Sequence, residues 1–282
     1  MTAVLLDGRP VAAEILQGVA ARAHALLERD IQPCLVFLSV GASESGLMYS
    51  RRLERLGTRQ GIRVSRRSLP PDCSPAALER EVAAFGADKA VDGVVVQMPL
   101  PGNLRSVDLS AVMDPRIDVD GITVENAGRL ALGLPARVPS TAVAMMEILH
   151  HAGIDPAGRR ALVLGRSKVV GHPAAELLLR GDATVTTAHS KTPDLTFVTR
   201  QAEILFAAVG RPRLIRAEMV SPGVVIVDAG INVVGGELVG DVGFEACSEV
   251  ASAITPVPGG VGPVTNAVLL RSVVESAERR QR

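Results

Sequence analysis

Short apolar runs alternate along the chain with stretches of helical periodicity. Val11–Glu28 sets apolar residues at helical spacing among good helix formers, and a helix is predicted there. CLVFLSV, residues 34–40, reads as a buried strand closed by Gly41. The spacing predicts a second helix over Leu47–Gln60, with Ser43 and Ser45 as candidate N-caps. A third, Ala76–Phe85, leads into DGVVVQMPLP, where Gly93–Gln97 is a strand stopped by Pro99 and Pro101. Asp114–Gly121 is acidic and irregular, and a loop is expected. A helix follows over Thr141–His151. The pattern then resets: RALVLG, ATVTTAH, ILFAAVG and GVVIVDAG are β-rich runs about 20–25 residues apart, as in a dinucleotide-binding sheet. An amphipathic helix over Asn266–Arg280 closes the chain. Alternation of this kind predicts an α/β fold with a largely parallel sheet. The domain junction is expected near Val138–Thr141.

Composition narrows the function more than the fold. The 282 residues include 30 basic and 30 acidic side chains, and zero formal charge argues against a nucleic-acid partner, which needs a basic surplus. Hydrophobic residues at 47% and charged residues at 21% fit a globular chain rather than a disordered one. The longest uncharged stretch, around Thr255–Leu270, is broken by Pro256, Pro258, Pro263 and glycines, so no membrane-spanning helix is expected. The start MTAVLLDGRP lacks the basic and apolar segments of a signal peptide. Cys34, Cys73 and Cys247 are odd in number and widely spaced, so neither a metal nor a disulfide is expected, and the compartment is read as cytoplasmic. Arginine outnumbers lysine 27 to 3, as codon bias in a GC-rich genome would produce. Tyr49 is the one tyrosine.

Candidate chemistry begins in the second half. The strand Arg160–Leu164 runs into Gly165-Arg166-Ser167-Lys168-Val169-Val170-Gly171 and then a helix. The motif departs from G-x-G-x-x-G, but strand, glycine turn and helix N-terminus together present N–H groups to a phosphate. A tight turn joining two elements is the plainer reading. The next strand, Ala183–Thr187, ends in Ala188-His189-Ser190-Lys191-Thr192, without the carboxylate that an NAD site uses to hold ribose hydroxyls. Donors there, with Arg166 and Ser167, favour a 2′-phosphate and hence NADP over NAD. The plainer reading of His189 and Lys191 is a solvated loop. In Pro256–Pro263, prolines fix some dihedrals and glycines free others, which lets backbone approach a planar ligand; a rigid loop initiating the last helix, with Pro263 in its first turn, is the alternative.

Together these pieces resemble the bifunctional methylenetetrahydrofolate dehydrogenase/cyclohydrolase family, FolD. The resemblance is carried by Asp92–Pro101, Asp118-Val119-Asp120-Gly121, Gly165–Gly171, His189–Thr192, Asp228-Ala229-Gly230-Ile231-Asn232 and Pro256–Pro263, in family order from Leu5-Leu6-Asp7-Gly8 to the last helix. It implies an N-terminal α/β folate-binding domain over 1–139, with a C-terminal helix, 265–282, packing back on it. It also implies a Rossmann-type NADP-binding domain over 140–264, a cleft between the two, and a homodimer. The implied reaction is oxidation of 5,10-methylenetetrahydrofolate to the methenyl cation with hydride passing to NADP, followed in most members by hydrolysis to formyltetrahydrofolate. Tyr49, Gln97 and Asp120 are the implied catalytic residues. Tyr49, Gln97, Pro99, Asp120, Gly262 and Pro263 are implied around the folate. Thr141, Gly165, Arg166, Ser167, Gly171, His189, Ser190 and Ile231 are implied around NADP.

The chain departs from the family pattern at one telling place. There the active-site helix carries Tyr-x-x-x-Lys, a spacing that puts both side chains on one helical face. The tyrosine ring lies against the folate, the lysine stands near the reacting carbon and is paired with the glutamine matched by Gln97, and the aspartate matched by Asp120 recognises the pterin. Here the helix reads Tyr49-Ser50-Arg51-Arg52-Leu53, with leucine at the lysine position. Val40-Gly41 and Gly61-Ile62 keep family spacing on either side, so the alignment has not slipped. Arg52 projects about 100° away on the helix, and an arginine stays protonated. Pro139-Ser140-Thr141-Ala142-Val143-Ala144 replaces Pro-Cys-Thr-Pro-x-Gly, and Ile117 replaces a lysine before Asp118. The expectation is a dehydrogenase whose cyclohydrolase activity is weak or lost. Three alternatives stand beside it: a bifunctional enzyme using another group, a divergent paralogue passing the one-carbon unit to a different acceptor, and a non-enzymatic folate binder.

Overall fold

The computed structural model describes residues 3–41 and 44–280. The first half runs β1 (Val4–Leu5), α1 (Gly8–Leu27), β2 (Cys34–Val40), α2 (Glu44–Arg59), β3 (Arg63–Leu69), α3 (Pro75–Ala87), β4 (Gly93–Val96), α4 (Leu109–Val112) and α5 (Val124–Ala131). The second runs α6 (Ser140–His151), β5 (Arg160–Leu164), α7 (Gly171–Arg180), β6 (Thr184–Ala188), α8 (Leu195–Thr199), β7 (Ile204–Ala207) and β8 (Val225–Asp228). It ends with β9 (Asn232–Val234), β10 (Glu237–Val239), α9 (Phe244–Ser248), β11 (Ala253–Ile254) and α10 (Val261–Arg279). Two compact units result, one formed by Glu14–Val138 with the chain from Asn266 on, the other by the chain up to Ala13 with Pro139–Thr265.

The first unit is built on a parallel sheet in the order β3-β2-β4. Its central strand is apolar on both faces because both faces are covered. Leu35, Phe37, Val64 and Val95 point into a core shared with Val19, Ala23, Leu53, Leu270, Val273 and Val274. Val36, Leu38, Val94 and Val96 point the other way, onto Leu78, Val82, Leu104 and Leu109. β3 is an edge strand whose only buried residue is Val64, and its arginines blunt the open edge. Ser74 caps α3 by accepting from Ala77 N–H. Ser43, an expected cap of α2, lies outside the described residues, as does the side chain of Ser45.

The second unit holds a six-stranded parallel sheet in the order β1-β11-β8-β7-β5-β6. Leu162, Leu164, Leu205, Ile226 and Ile254 pack on one face against Ile215, Met219, Val220 and Cys247. β5 is followed in the chain by β6 on one side and in space by β7 on the other, so the strand order reverses there, as in Rossmann-type folds. No helix among the described residues is long and apolar enough to cross a membrane.

Several boundaries differ from the sequence-based expectation. β1 belongs to the six-stranded sheet, not to the expected range 1–139, because its two residues pair with β11. α1 starts at Gly8, and α10 starts at Val261, inside the Pro-Gly run, so Gly262 and Pro263 sit in its first turn. A proline is tolerated there because a first-turn N–H has no helical acceptor. β3 and α5 were not expected.

Arg137 ties the segment before the second unit to α10 within the first. Its guanidinium donates to Glu275 at 2.5 Å and to Ser276 Oγ at 2.8 Å, and its backbone N–H donates to Asn126 Oδ1 at 3.0 Å. Burial, with Arg279 nearby, lowers its pKa from the ordinary arginine value. Arg137→Ala is expected to lower unfolding free energy by about 2–3 kcal/mol, read as a reduced urea midpoint. An unchanged midpoint would show the tie to be idle.

Candidate active site

The geometry starts from the inner face of α2. Ser50, Leu53 and Gly57 are buried there. A Cβ on Gly57 would come within 2.6 Å of Val64 Cγ2 and 3.6 Å of Leu270 Cδ2, so the helix lies close on β3 and α10 because that position has no side chain. The side-chain amide of Gln97, just past β4, occupies the space that a Cβ on Gly46 would need. Tyr49 follows one turn later. Its ring meets Phe37 with centroids 5.8 Å apart and planes tilted by 60°, and its hydroxyl donates to Asn266 Oδ1 at 3.2 Å. The residue is 38% exposed, yet the hydroxyl is turned onto the buried Asn266. Loss of water pushes that hydroxyl's pKa up to about 12, Asp120 adds to the shift and Arg52 opposes it.

Leu53, four residues on, is 1% exposed and belongs to the core with Phe37, Ile62, Val64 and Leu270. Arg52 is exposed. It projects about 100° around the helix from Leu53.

Asp120 is carried by a loop that Asp118 organises. Asp118 is fully buried and accepts from Ile122 N–H, Thr123 N–H, Thr123 Oγ1 and Asn126 Nδ2, at 2.7–3.0 Å. Thr123 in turn caps α5. The loop lies beside β4, with Val94 N–H donating to Ile117 O. Ile117, at the position of the expected family lysine, is buried in the core. Tyr49, Gln97 and Asp120 therefore converge on the first turns of α2, while Pro99 follows a cis Met98–Pro99 bond and is exposed. Gly46, Asn126 and Asn266 escaped sequence reasoning. Only the Asp-x-x-x-x-Thr-x-x-Asn spacing from 118 to 126 signals the loop in advance.

In the second unit, Gly165–Gly171 and His189-Ser190 follow the carboxyl ends of β5 and β6, beside the reversal at β5. Gly165 has φ +127°, and a Cβ there would overlap the carbonyl of Ala208; a Cβ on Gly171 would overlap the carbonyl of Gly165. Both positions demand glycine for close backbone approach. Ser167 Oγ accepts from Val170 and Gly171 N–H at 3.2 and 3.3 Å, while Arg166, Ser167 and Lys168 are exposed. After β6, His189 N–H donates to Thr192 Oγ1 and Lys191 N–H to His189 Nδ1, which puts the imidazole proton on Nε2. Ser190 is exposed. The next carboxylate, Asp194, is already engaged as the cap of α8. Thr141 is half-buried in the first turn of α6, and the buried Oγ of Ser140 beside it has no hydrogen-bond partner among the described residues. Ile231 is exposed beyond β8, and Gly262 and Pro263 open α10.

Residues 6–120 match the model of the tetrahydrofolate dehydrogenase/cyclohydrolase catalytic domain, and residues 139–281 match that of the same family's NAD(P)-binding domain. The chain belongs to the tetrahydrofolate dehydrogenase/cyclohydrolase family. It is 44% identical to a bifunctional protein FolD of Aromatoleum aromaticum, over 99% of this chain and 98% of that one. Its structure is similar to that of the bifunctional FolD of Campylobacter jejuni, with a TM-score of 0.96 at 37% identity, covering 99% of each chain. It is also similar to the Trypanosoma brucei FolD complexed with NADP and an inhibitor, with a TM-score of 0.94 at 37% identity, covering 100% of this chain and 99% of that one.

In this family member two carboxylates clamp the loops at the edge of the nucleotide unit. Asp228 accepts from Gly230, Asp241 and Val242 N–H at 2.8, 3.1 and 2.9 Å. Asp241 accepts from Val209, Gly210 and Arg211 N–H at 2.6–3.0 Å and from Asn232 Nδ2 at 3.0 Å. Burial pushes Asp228 up to about 6, against the pull of its backbone donors. A carboxyl whose pKa folding raises lends its stability in full below the unfolded value, 3.8, and loses it as pH rises through about 6. Relative to Asp228→Asn, which does not titrate, wild type should gain roughly 3 kcal/mol of unfolding free energy between neutral and acid pH. Urea unfolding of both proteins across that range checks it, and a constant difference would contradict it.

Proposed function

We propose that the protein oxidises 5,10-methylenetetrahydrofolate to the methenyl form with NADP as hydride acceptor, and that its cyclohydrolase activity is weak or lost. One observation carries the second half of this reading: the position of the family lysine holds Leu53, sealed in the core. Hydride transfer is chiefly a positioning task. Tyr49, with a hydroxyl pKa near 12, is neutral at physiological pH and serves as a ring surface and hydrogen-bonding group. Gln97 and Asp120 supply an amide and a carboxylate to orient the pterin.

Hydrolysis asks for more. A water must be oriented and activated, and protons must move at the ring nitrogens. Leu53 has no proton to give, Gln97 does not titrate, and Arg52 is exposed on another side of the helix.

The residues present fit NADP. The glycine turn at Gly165–Gly171, the helix start behind it and the exposed Arg166 and Ser167 suit phosphates, and the β6 loop offers His189, Ser190 and Lys191 without a carboxylate to repel a 2′-phosphate. Thr141 and Ile231 would complete that set. When bound, NADP supplies the hydride acceptor. The NADP complex of the Trypanosoma brucei relative supports the choice. A homodimer in the cytoplasm is part of the reading. Val233 and Leu238 are cross-strand partners on the β9–β10 hairpin, 70% and 46% exposed, and would suit an apolar interface.

A second reading is full bifunctionality, favoured by the names of the relatives. In that case another group does the work of the lysine.

Purified protein given 5,10-methylenetetrahydrofolate and NADP is expected to form NADPH. Given methenyltetrahydrofolate, it is expected to hydrolyse it far more slowly than it reduces NADP, and Leu53→Lys is expected to raise hydrolysis. Wild-type hydrolysis as fast as NADP reduction would overturn the proposal.

A further inference from the structure

Asp241 lies within the second unit, two residues past β10, and none of its surface is exposed. Its Oδ2 accepts from Val209 N–H at 2.6 Å and Gly210 N–H at 3.0 Å, and its Oδ1 accepts from Arg211 N–H at 2.8 Å and Asn232 Nδ2 at 3.0 Å. A carboxylate offers about four acceptor positions, so this one is saturated. Its donors come from two loops that leave neighbouring strands. Three belong to the loop after β7, and the fourth belongs to Asn232, which follows Ile231 and opens β9 beyond β8. Each loop carries something the nucleotide site needs. A Cβ on Gly165 would overlap the carbonyl of Ala208, so the glycine turn rests on Ala208. Ala208 is itself held from both sides, by its own N–H on Leu164 O at 2.8 Å and by the N–H of the next residue on Asp241.

We infer that Asp241 is a positioning residue for hydride transfer: one buried carboxylate sets the glycine turn through Ala208 and Ile231 through Asn232, and so fixes two parts of the dinucleotide site relative to each other. The inference rests on the NADP reading of those residues. Hydride transfer depends on geometry, and a displacement of about 1 Å far from the reacting atoms is enough to slow it. Loops that leave separate strands move independently unless a shared partner joins them. Asparagine cannot replace the carboxylate here. Its amide accepts on one atom only and turns an NH2 group toward two of the four donors, leaving N–H groups unsatisfied in a buried place. The β6 loop stands outside this network. His189 N–H donates to Thr192 Oγ1 at 2.9 Å and Lys191 N–H to His189 Nδ1 at 3.2 Å, so that loop closes on itself. The groups suited to a 2′-phosphate are therefore held without Asp241, and its loss should affect one end of the cofactor and spare the other.

The test compares wild type with Asp241→Asn and with the milder Asn232→Ala, following NADPH formation at saturating 5,10-methylenetetrahydrofolate. In Asp241→Asn, kcat/KM for NADP is expected to fall about tenfold to a hundredfold, with KM for the folate substrate within about twofold of wild type. Asn232→Ala removes one hydrogen bond of the four and is expected to cost about threefold to tenfold. Adenosine 2′-monophosphate, which has the 2′-phosphate and neither the diphosphate nor the nicotinamide, should compete with NADP with an inhibition constant within about twofold in all three proteins. A merely structural role would weaken that inhibitor and the folate substrate along with NADP. Unchanged NADP constants in both variants, or parallel loss of NADP and adenosine 2′-monophosphate, would overturn the inference. If Asp241→Asn does not fold, Asn232→Ala decides by the same criteria. Absence of NADP reduction by wild type would strike the functional reading instead. Amide hydrogen exchange on the nucleotide-free variants still decides the role of Asp241 in that event. Faster exchange across residues 165–171 and 209–211, with residues 189–192 unchanged, supports it, and unchanged exchange across 165–171 overturns it.

Discussion

The close seat of α2 on its neighbours is the constraint from which the first unit's chemistry follows. Gly57 leaves no room for a side chain between the helix and Val64 or Leu270, and Gly46 leaves none between it and the amide of Gln97. Held at those two points, the helix cannot roll. Its three sides then have fixed fates: Leu53 enters the core, Tyr49 rests at the rim against Phe37 and Asn266, and the arginines face water. A helix seated a few ångströms further out would blur all three.

The same constraint explains why the leucine matters. A lysine at position 53 would have to bring an ammonium to the edge of a packed apolar cluster, which is expensive unless a partner receives it. Leucine carries no such cost, and Leu53 is packed into the core at 1% exposure. Asp120 lies on a loop fixed by the buried Asp118 network, and the amide of Gln97 lies over Gly46. In the other unit, Asp228 and Asp241 perform the corresponding task for the loops at the sheet's carboxyl edge, each buried carboxylate gathering several backbone donors.

Much of this was legible in the amino-acid sequence where one physical signal dominates. The central strands are continuous apolar runs because both their faces are covered, and β2 spans the predicted residues 34–40. The glycine turn after β5 and the missing carboxylate after β6 were readable because each depends on local residues. The rest depends on distant partners. β3, RVSRRSL, hides because an edge strand buries one residue and is otherwise polar. α5 is short and contains glycine, and it exists because Asp118 and Thr123 anchor its start. α10 begins within a Pro-Gly run whose composition reads as loop. Asn266 meets Tyr49 from 217 residues away, and no local pattern announces such a pair.

The most direct measurement follows NADPH, methenyltetrahydrofolate and formyltetrahydrofolate together in one closed reaction of the wild-type enzyme with 5,10-methylenetetrahydrofolate and NADP. If Leu53 has taken the proton-handling position out of use, methenyltetrahydrofolate accumulates in step with NADPH, and formyltetrahydrofolate appears only at the rate of spontaneous hydrolysis. Formyltetrahydrofolate rising in step with NADPH, with no build-up of the methenyl form, would contradict the account.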